Sequence, residues 1–278
     1  MITSSANPAV KAARKLARRH ARAKAQDAFL VEGPQAVAEG VLFLSRLFVG
    51  EAHGRDDIVA TARDAGVEIL TVSDSVLSDL ATTVTPQPMV GVATLPSPSL
   101  EDVVSGARLL VVLDQVRDPG NVGTALRTAD AAGADGVILS RGSVDPRNPK
   151  AVRSSAGSLF HLPVVDSVGF SDIVRACRAH SVRLVAAAAE ADTDHTSADL
   201  GGRVALVLGS EAHGLPPHVQ NACDLRVRIP MHRTPRHGYR GSAESLNLAA
   251  TVAILTYEAV RQRAMPSATI AQGTAATR

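Results

Sequence analysis

Residues Leu113 to Leu139 read LDQVRDPGNVGTALRTADAAGADGVIL, and the succession of residue types in this stretch decides the fold class. An apolar strand, Leu109, Leu110, Val111, Val112 and Leu113, runs into a polar turn broken by Asp118, Pro119, Gly120 and Asn121. Val122, Ala125, Leu126 and Ala129 then recur at helical spacing, with Arg127 directed off the opposite side. A strand, a short turn and a helix in this order belong to an α/β sheet. An arginine early on such a helix lies near the C-terminal sheet edge, where open α/β folds bind ligands.

The alternation continues in both directions. Toward the N-terminus the pattern predicts strands at 28–31, 46–49, 67–72 and 89–93 and helices at 35–44, 56–65 and 74–81, behind a basic helix or arm over 1–26. Residues 1–95 thus make a small α/β domain. Pro96, Ser97, Pro98 and Ser99 open a linker, taken as 96–106. Beyond it, strands are predicted at 108–113, 136–139, 183–188, 204–208 and 225–229, and helices at 121–132, 149–156, 171–180, 216–221 and 243–263. These form a second α/β domain over 107–263, expected to fold without the first. The tail 264–278 lacks periodicity and is expected to be disordered.

With 45% hydrophobic and 20% charged residues the chain has the composition of a soluble globular protein. No apolar run approaches the roughly 20 residues that span a bilayer. Lys11, Arg14, Lys15, Arg18 and Arg19 interrupt any secretory apolar segment. Cys177 and Cys223 lack metal spacing and read as buried thiols of a reducing compartment, so a cytoplasmic location is expected. The net charge is only +2, but Lys11 to Lys24 (KAARKLARRHARAK) contains no acid. Lys11, Lys15, Arg18 and Arg22 share one helical face there, which suits either solvation or phosphate contact. No G-x-G-x-x-G follows the 108–113 strand, and P-loop, H-E-x-x-H and G-x-S-x-G patterns are absent. Nine histidines are scattered without ligand spacing, so neither a metal nor a membrane partner is implied.

The turn and helix NVGTALRTA (Asn121 to Ala129) resembles the first motif of the SpoU (TrmH-type) RNA ribose 2′-O-methyltransferases of the SPOUT superfamily. VALVLGSEAHG (Val204 to Gly214) is similar to the second motif, and IPM (Ile229 to Met231) followed by ESLNLAATVAILTYE (Glu244 to Glu258) to the third. DPRNPKAVRSSAGSLFHLP (Asp145 to Pro163) resembles the connecting segment. Four fragments in the right order cover about residues 108–263. FLVEGPQAVAEG (Phe29 to Gly40) is similar to the ribosomal-protein-like RNA-binding domain that often precedes this catalytic domain. The resemblance implies an α/β fold whose C-terminal part is tied in a trefoil knot, a homodimer, and S-adenosyl-L-methionine as cofactor. It also implies methylation of a ribose 2′-hydroxyl in structured RNA. Ribosomal RNA is favoured over transfer RNA because of the N-terminal domain.

Carried onto this chain, the motifs place Leu208, Gly209, Ile229, Met231 and Leu246 around the cofactor, with glycine allowing close backbone approach. Arg127 matches the catalytic arginine. Its guanidinium stays protonated, so its expected work is to bind phosphate and stabilise alkoxide charge rather than to act as a base. Asn121, Glu211, Ser245 and Asn247 complete the polar set, with Glu211 read as orienting Arg127 or neighbouring donors, or simply marking a helix start. Asn247 is placed inside a helix that asparagine disfavours, which hints at a site role. Lys150, Arg153 and Ser154 are candidates for RNA phosphate contact or for a solvated helix face. The segment His232 to Ala243 (HRTPRHGYRGSA) is longer than the family pattern; its Arg233, Arg236 and Arg240 suit a basic lid over RNA, a prop for the pocket, or a disabling change. With 3% aromatic residues, stacking platforms are scarce and phosphate contacts should dominate RNA affinity. The competing readings are a transfer-RNA enzyme, a non-catalytic RNA-binding or ribosome-assembly protein on the same fold, and a small-molecule methyltransferase.

Overall fold

The computed structural model describes residues 1–17, 28–83, 85–231, 243 and 245–264. In the first domain, strands β1 (Phe29–Glu32), β2 (Leu44–Gly50), β3 (Glu68–Val72) and β4 (Met89–Ala93) form a sheet of order β1-β4-β2-β3. β4 runs antiparallel to β1 and β2, and β2 is parallel to β3. The helices are α1 (Pro8–Lys15), α2 (Pro34–Glu39), α3 (Asp57–Asp64) and α4 (Asp74–Leu80). Because side chains alternate along a strand, Leu30, Phe48 and Val90 meet α1 and α4 on one face through Val10, Ala13, Val76 and Leu80. Phe29, Val31, Leu47 and Val49 meet α2 and α3 on the other.

The second domain carries seven strands in the order β7-β6-β5-β10-β8-β11-β9, every pair parallel. They are β5 (Leu109–Leu113), β6 (Gly136–Ser140), β7 (Val164–Val168), β8 (Arg183–Ala187), β9 (Thr193–Asp194), β10 (Val204–Leu208) and β11 (Leu225–Arg228). The helices are α5 (Leu100–Ser105), α6 (Pro119–Ala131), α7 (Pro149–Ser155), α8 (Phe170–Ala179), α9 (Pro217–Ala222) and α10 (Leu248–Ala264). β5, β6 and β10 are buried along their whole length, as expected of parallel strands sandwiched between helices. From β5 the chain steps outward to β6 and β7, whereas from β10 it leaves in the opposite direction to β11. The loops after β5 and β10 therefore diverge and open a crevice at the C-terminal edge, the usual ligand position in such sheets.

Three expectations change. The linker is shorter than 96–106, because Ser99 and Asp102 form a reciprocal capping box that starts α5, whose Val103 and Val104 are buried against the second sheet. α10 begins at Leu248 rather than at 243. The domains are also not independent. The Phe160 ring stacks on Phe29 at a centroid distance of 6.1 Å and on Phe43 at 5.7 Å, joining both domains in one hydrophobic cluster. Gly40 permits this, since a Cβ there would lie 2.5 Å from the Phe160 ring. His161 adds a polar clip, with Nδ1 2.8 Å from Asp130 of the second domain and Nε2 3.3 Å from Glu39 of the first. The tail beyond Ala264 lies outside the described residues.

Candidate active site

β8, β10 and β11 end side by side, and the segments leaving them enclose a cleft with Ser245, Leu246 and the start of α10. Leu208, Gly209, Ile229, Met231 and Leu246, drawn from three distant segments, all line it, together with Glu211 and Ser245. Ala187, Ala188 and Ala189 form a further wall that motif reading missed. Its signal was present: an alanine run at the C-terminal end of a parallel strand leaves main chain and open space where ligands bind.

Gly209 has a second task besides lining the cleft. Ser210 and Gly214 pair across a tight turn, the Gly214 N–H donating to the Ser210 carbonyl at 2.8 Å, and Gly214 takes a left-handed φ of 62°. A Cβ on Gly209 would sit 2.1 Å from the Gly214 carbonyl oxygen. The missing side chain thus admits the protein's own loop, and that loop shapes the cleft. The Glu211 Oε1 accepts from the Leu248 N–H at 2.9 Å, so it holds the positive end of α10, in line with the reading as an acid at a helix start. Asn247 is not inside the helix. It precedes Leu248, and its Oδ1 accepts from the Ala250 N–H at 2.7 Å, the capping role that asparagine favours.

A second cleft, between the loops after β5 and β10, shares Ser210, Glu211 and Gly214 with the first. Asn121 lines it, as do Asp114 and Arg117, which sequence reading did not select. Asp114 is buried and accepts from Ser140 Oγ at 2.6 Å, while Gln115 turns the chain at a left-handed φ of 51°. Asp118 starts α6 by accepting from the Asn121 N–H at 3.0 Å. The Lys150 ammonium, 2.9 Å from Asp118, and that N–H hold the Asp118 carboxyl below the usual carboxylate range. Arg127 lies further along α6, exposed, lining neither cleft and paired with no other described residue.

The proposed phosphate contacts divide. Lys11 and Lys15 are exposed on α1, whose Val10 and Ala13 are buried. Arg18, Arg22, Arg233, Arg236 and Arg240 lie outside the described residues. Lys150, Arg153 and Ser154 have partners within the protein. Lys150 pairs with Asp118, Arg153 with Glu32 and Thr82, and Ser154 packs where a Gly123 side chain would be. Burial pushes the Cys177 and Cys223 thiols up to about 11 and about 12.

With the strand order and both clefts in view, comparison with known proteins is direct. The SpoU rRNA Methylase family matches residues 108–257 and an MRM3-like substrate binding domain matches residues 7–91. The chain belongs to the SpoU rRNA methylase family. It is 33% identical over 257 residues to the 23S rRNA (guanosine(2553)-2′-O)-methyltransferase RlmP of Bacillus subtilis, covering 92% of this chain and 97% of that one. An AdoMet-bound rRNA methyltransferase from Sinorhizobium meliloti superposes with a TM-score of 0.81 at 33% identity, over 94% of this chain and 97% of that one. The SpoU methyltransferase AviRb from Streptomyces viridochromogenes, solved with AdoMet, superposes with a TM-score of 0.81 at 30% identity, over 92% and 98% of the two chains. Among the described residues of this SpoU protein, no cluster of three or more His, Cys, Asp and Glu could hold a metal, and no helix is long and apolar enough to cross a membrane.

Proposed function

We propose that this SpoU protein transfers the methyl group of S-adenosylmethionine to a ribose 2′-hydroxyl of ribosomal RNA. The carrying observation is that Leu208, Gly209, Ile229, Met231 and Leu246 converge on one cleft at the C-terminal edge of the parallel sheet. The cleft suits the cofactor. Ile229, Met231, Leu246 and Leu248 give apolar surface for the adenine and the thioether stem, and the strand ends at Ala188 and Gly209 present main chain. Bound there, S-adenosylmethionine supplies an electrophilic methyl group. The protein's own tasks are then to exclude water, to aim the hydroxyl and to stabilise its developing charge.

Arg127 is the residue for the last task, and its exposure away from the cleft of its own chain supports a role toward a second copy. The family's homodimer accommodates this. α10 is apolar around most of its circumference, with Ala250, Ala253 and Ile254 half-buried and Tyr257 51% exposed, a composition suited to further burial. The trefoil knot over the C-terminal part of the second domain belongs to the same reading. So does a cytoplasmic location, where ribosomal RNA is found. The first domain, with Lys11 and Lys15 exposed, would hold the RNA.

The test is methyl transfer from labelled S-adenosylmethionine to a 23S rRNA transcript. Arg127→Ala should lose turnover while calorimetry gives cofactor affinity within about twofold of wild type, because the cleft does not include Arg127. Wild-type turnover by Arg127→Ala would refute the assignment.

A further inference from the structure

We infer that Glu32 and Arg153 form a strut by which the first domain sets the position of α6, the helix that bears Asn121 and Arg127. The inference rests on the proposed function and describes how that site is controlled.

Glu32 ends β1 with its side chain only 4% exposed, so its carboxylate needs partners inside the protein. Three come from the 82–83 turn of its own domain: the Thr82 N–H at 3.1 Å, the Thr82 hydroxyl at 2.7 Å and the Thr83 hydroxyl. These satisfy lone pairs but leave the charge. The charge is met across the domain boundary by Arg153 of α7, whose Nη1 lies 3.5 Å from Glu32 Oε2 and also donates to Thr82 Oγ1. Strand β1, the 82–83 turn and α7 are thereby tied at one point.

α7 has no slack against α6. A Cβ on Gly123 would lie 2.0 Å from Ser154 Oγ and 2.3 Å from the Ala151 carbonyl oxygen, so the two backbones are in direct contact. One turn earlier, Lys150 Nζ pairs with Asp118, the residue that caps α6. Arg153 shares one short helix with Ser154 and Lys150, whose contacts with α6 and its cap fall on the turn that presents Asn121. Arg127 follows along the same helix. Packing this close transmits a displacement instead of absorbing it. Thr82 and Thr85 are exposed on the first domain, so a substrate held there can act on the turn that Arg153 grips. Arg153 is therefore a positioning residue, acting through α7 on the site.

The test compares Arg153→Ala and Arg153→Lys with wild type on a 23S rRNA transcript. For Arg153→Ala, kcat should fall about tenfold or more while the KM for RNA and the affinity for S-adenosylmethionine stay within about twofold. Arg153→Lys, which keeps the charge, should recover most of the rate. Amide hydrogen exchange at residues 121–127 of the free protein should be faster in Arg153→Ala. Thr82→Val, which deletes only the bridging hydroxyl, should show a smaller change of the same kind and serves if Arg153→Ala does not fold. A raised KM with a shallower salt dependence and unchanged kcat would make Arg153 a phosphate contact and overturn the strut. Unchanged exchange at 121–127 would overturn it too. A wild-type protein inactive on the transcript would defeat the proposed function instead, and the exchange measurement, made without RNA, would still decide the strut.

Discussion

The seven-stranded sheet buries its central strands under helices of its own domain, whereas the four-stranded sheet shares the cluster on one of its faces with the neighbouring domain. Phe160 leaves the second domain to lie on Phe29 and Phe43 of the first. The large sheet can therefore leave the loops at its C-terminal edge to chemistry. The small sheet gives part of its surface to docking, and its position relative to the catalytic edge is fixed by packing and not by a tether. A chain that joined the same two domains through a free linker would let the first domain wander. Here Arg153, His161 and Phe160, all within nine residues of one another, lock it against α6 and α7.

The severest way to break this contrast is to remove the shared contact. Phe160→Ala should destabilise the protein by about 3–5 kcal/mol, as for other buried phenylalanines, measured by denaturant unfolding. Deleting residues 1–95 should then give an aggregating second domain, not the separable one that the Pro/Ser linker suggested. A soluble truncated protein with an unchanged melting temperature would show that the docking is superficial.

A second substitution probes the catalytic edge alone. Gly209→Ala must push the 210–214 turn away, an overpacking that costs about 1–3 kcal/mol. Cofactor affinity measured by calorimetry should fall by about tenfold or more while the domain contact is untouched. Wild-type affinity would mean that the turn moves without cost.

The smallest effect sharpens the docking side. The hydrogen bond to Asp130, with support from Glu39, raises the His161 pKa above its ordinary value. A raised folded-state pKa means that this stabilisation is fully present below the ordinary histidine pKa of about 6.5 and is lost as pH climbs through the folded value. The stability difference between wild type and His161→Gln should therefore shrink as pH rises above about 6.5. With His161 partly exposed, the change is expected to be slight, and a difference independent of pH would place the clip outside the docking contact.

The same contrast explains what could be read from sequence. β5, β6 and β10 are uniformly apolar runs with clear boundaries, and they stand within a residue of where the pattern puts them. β7, VVDSV, is a half-exposed edge strand with neither strict alternation nor a full apolar run, and the pattern passed over it. That Leu208, Gly209, Ile229, Met231 and Leu246 share a cleft could be anticipated because they sit in three motif segments. The work of Glu211 could not, because it acts on Leu248, far away in sequence, and that of Gly209 and Asn247 depends on where a turn closes and a helix starts. The start of α10 was misjudged in the same manner: apolar spacing extends back past Leu246, but Asn247 caps the helix and Glu211 braces it from the other side of the turn. Arg153 and Lys150 read as phosphate ligands or a solvated face, and a linear reading of basic residues does not show the acids that face them.

The contact between Gly209 and the Gly214 carbonyl also bears on how tolerance maps of this protein should be interpreted. A saturation scan scored on activity would mark position 209 as closed to every other residue, and intolerance beside a cofactor is ordinarily taken as a sign of ligand contact. Here the first cause is a collision within the polypeptide itself. Leu208, which lines the same cleft and is also buried, would tolerate an aliphatic replacement of similar volume. Two adjacent positions in one wall would give opposite profiles, and the difference would measure the geometry of a turn, not the strength with which either residue grips the ligand.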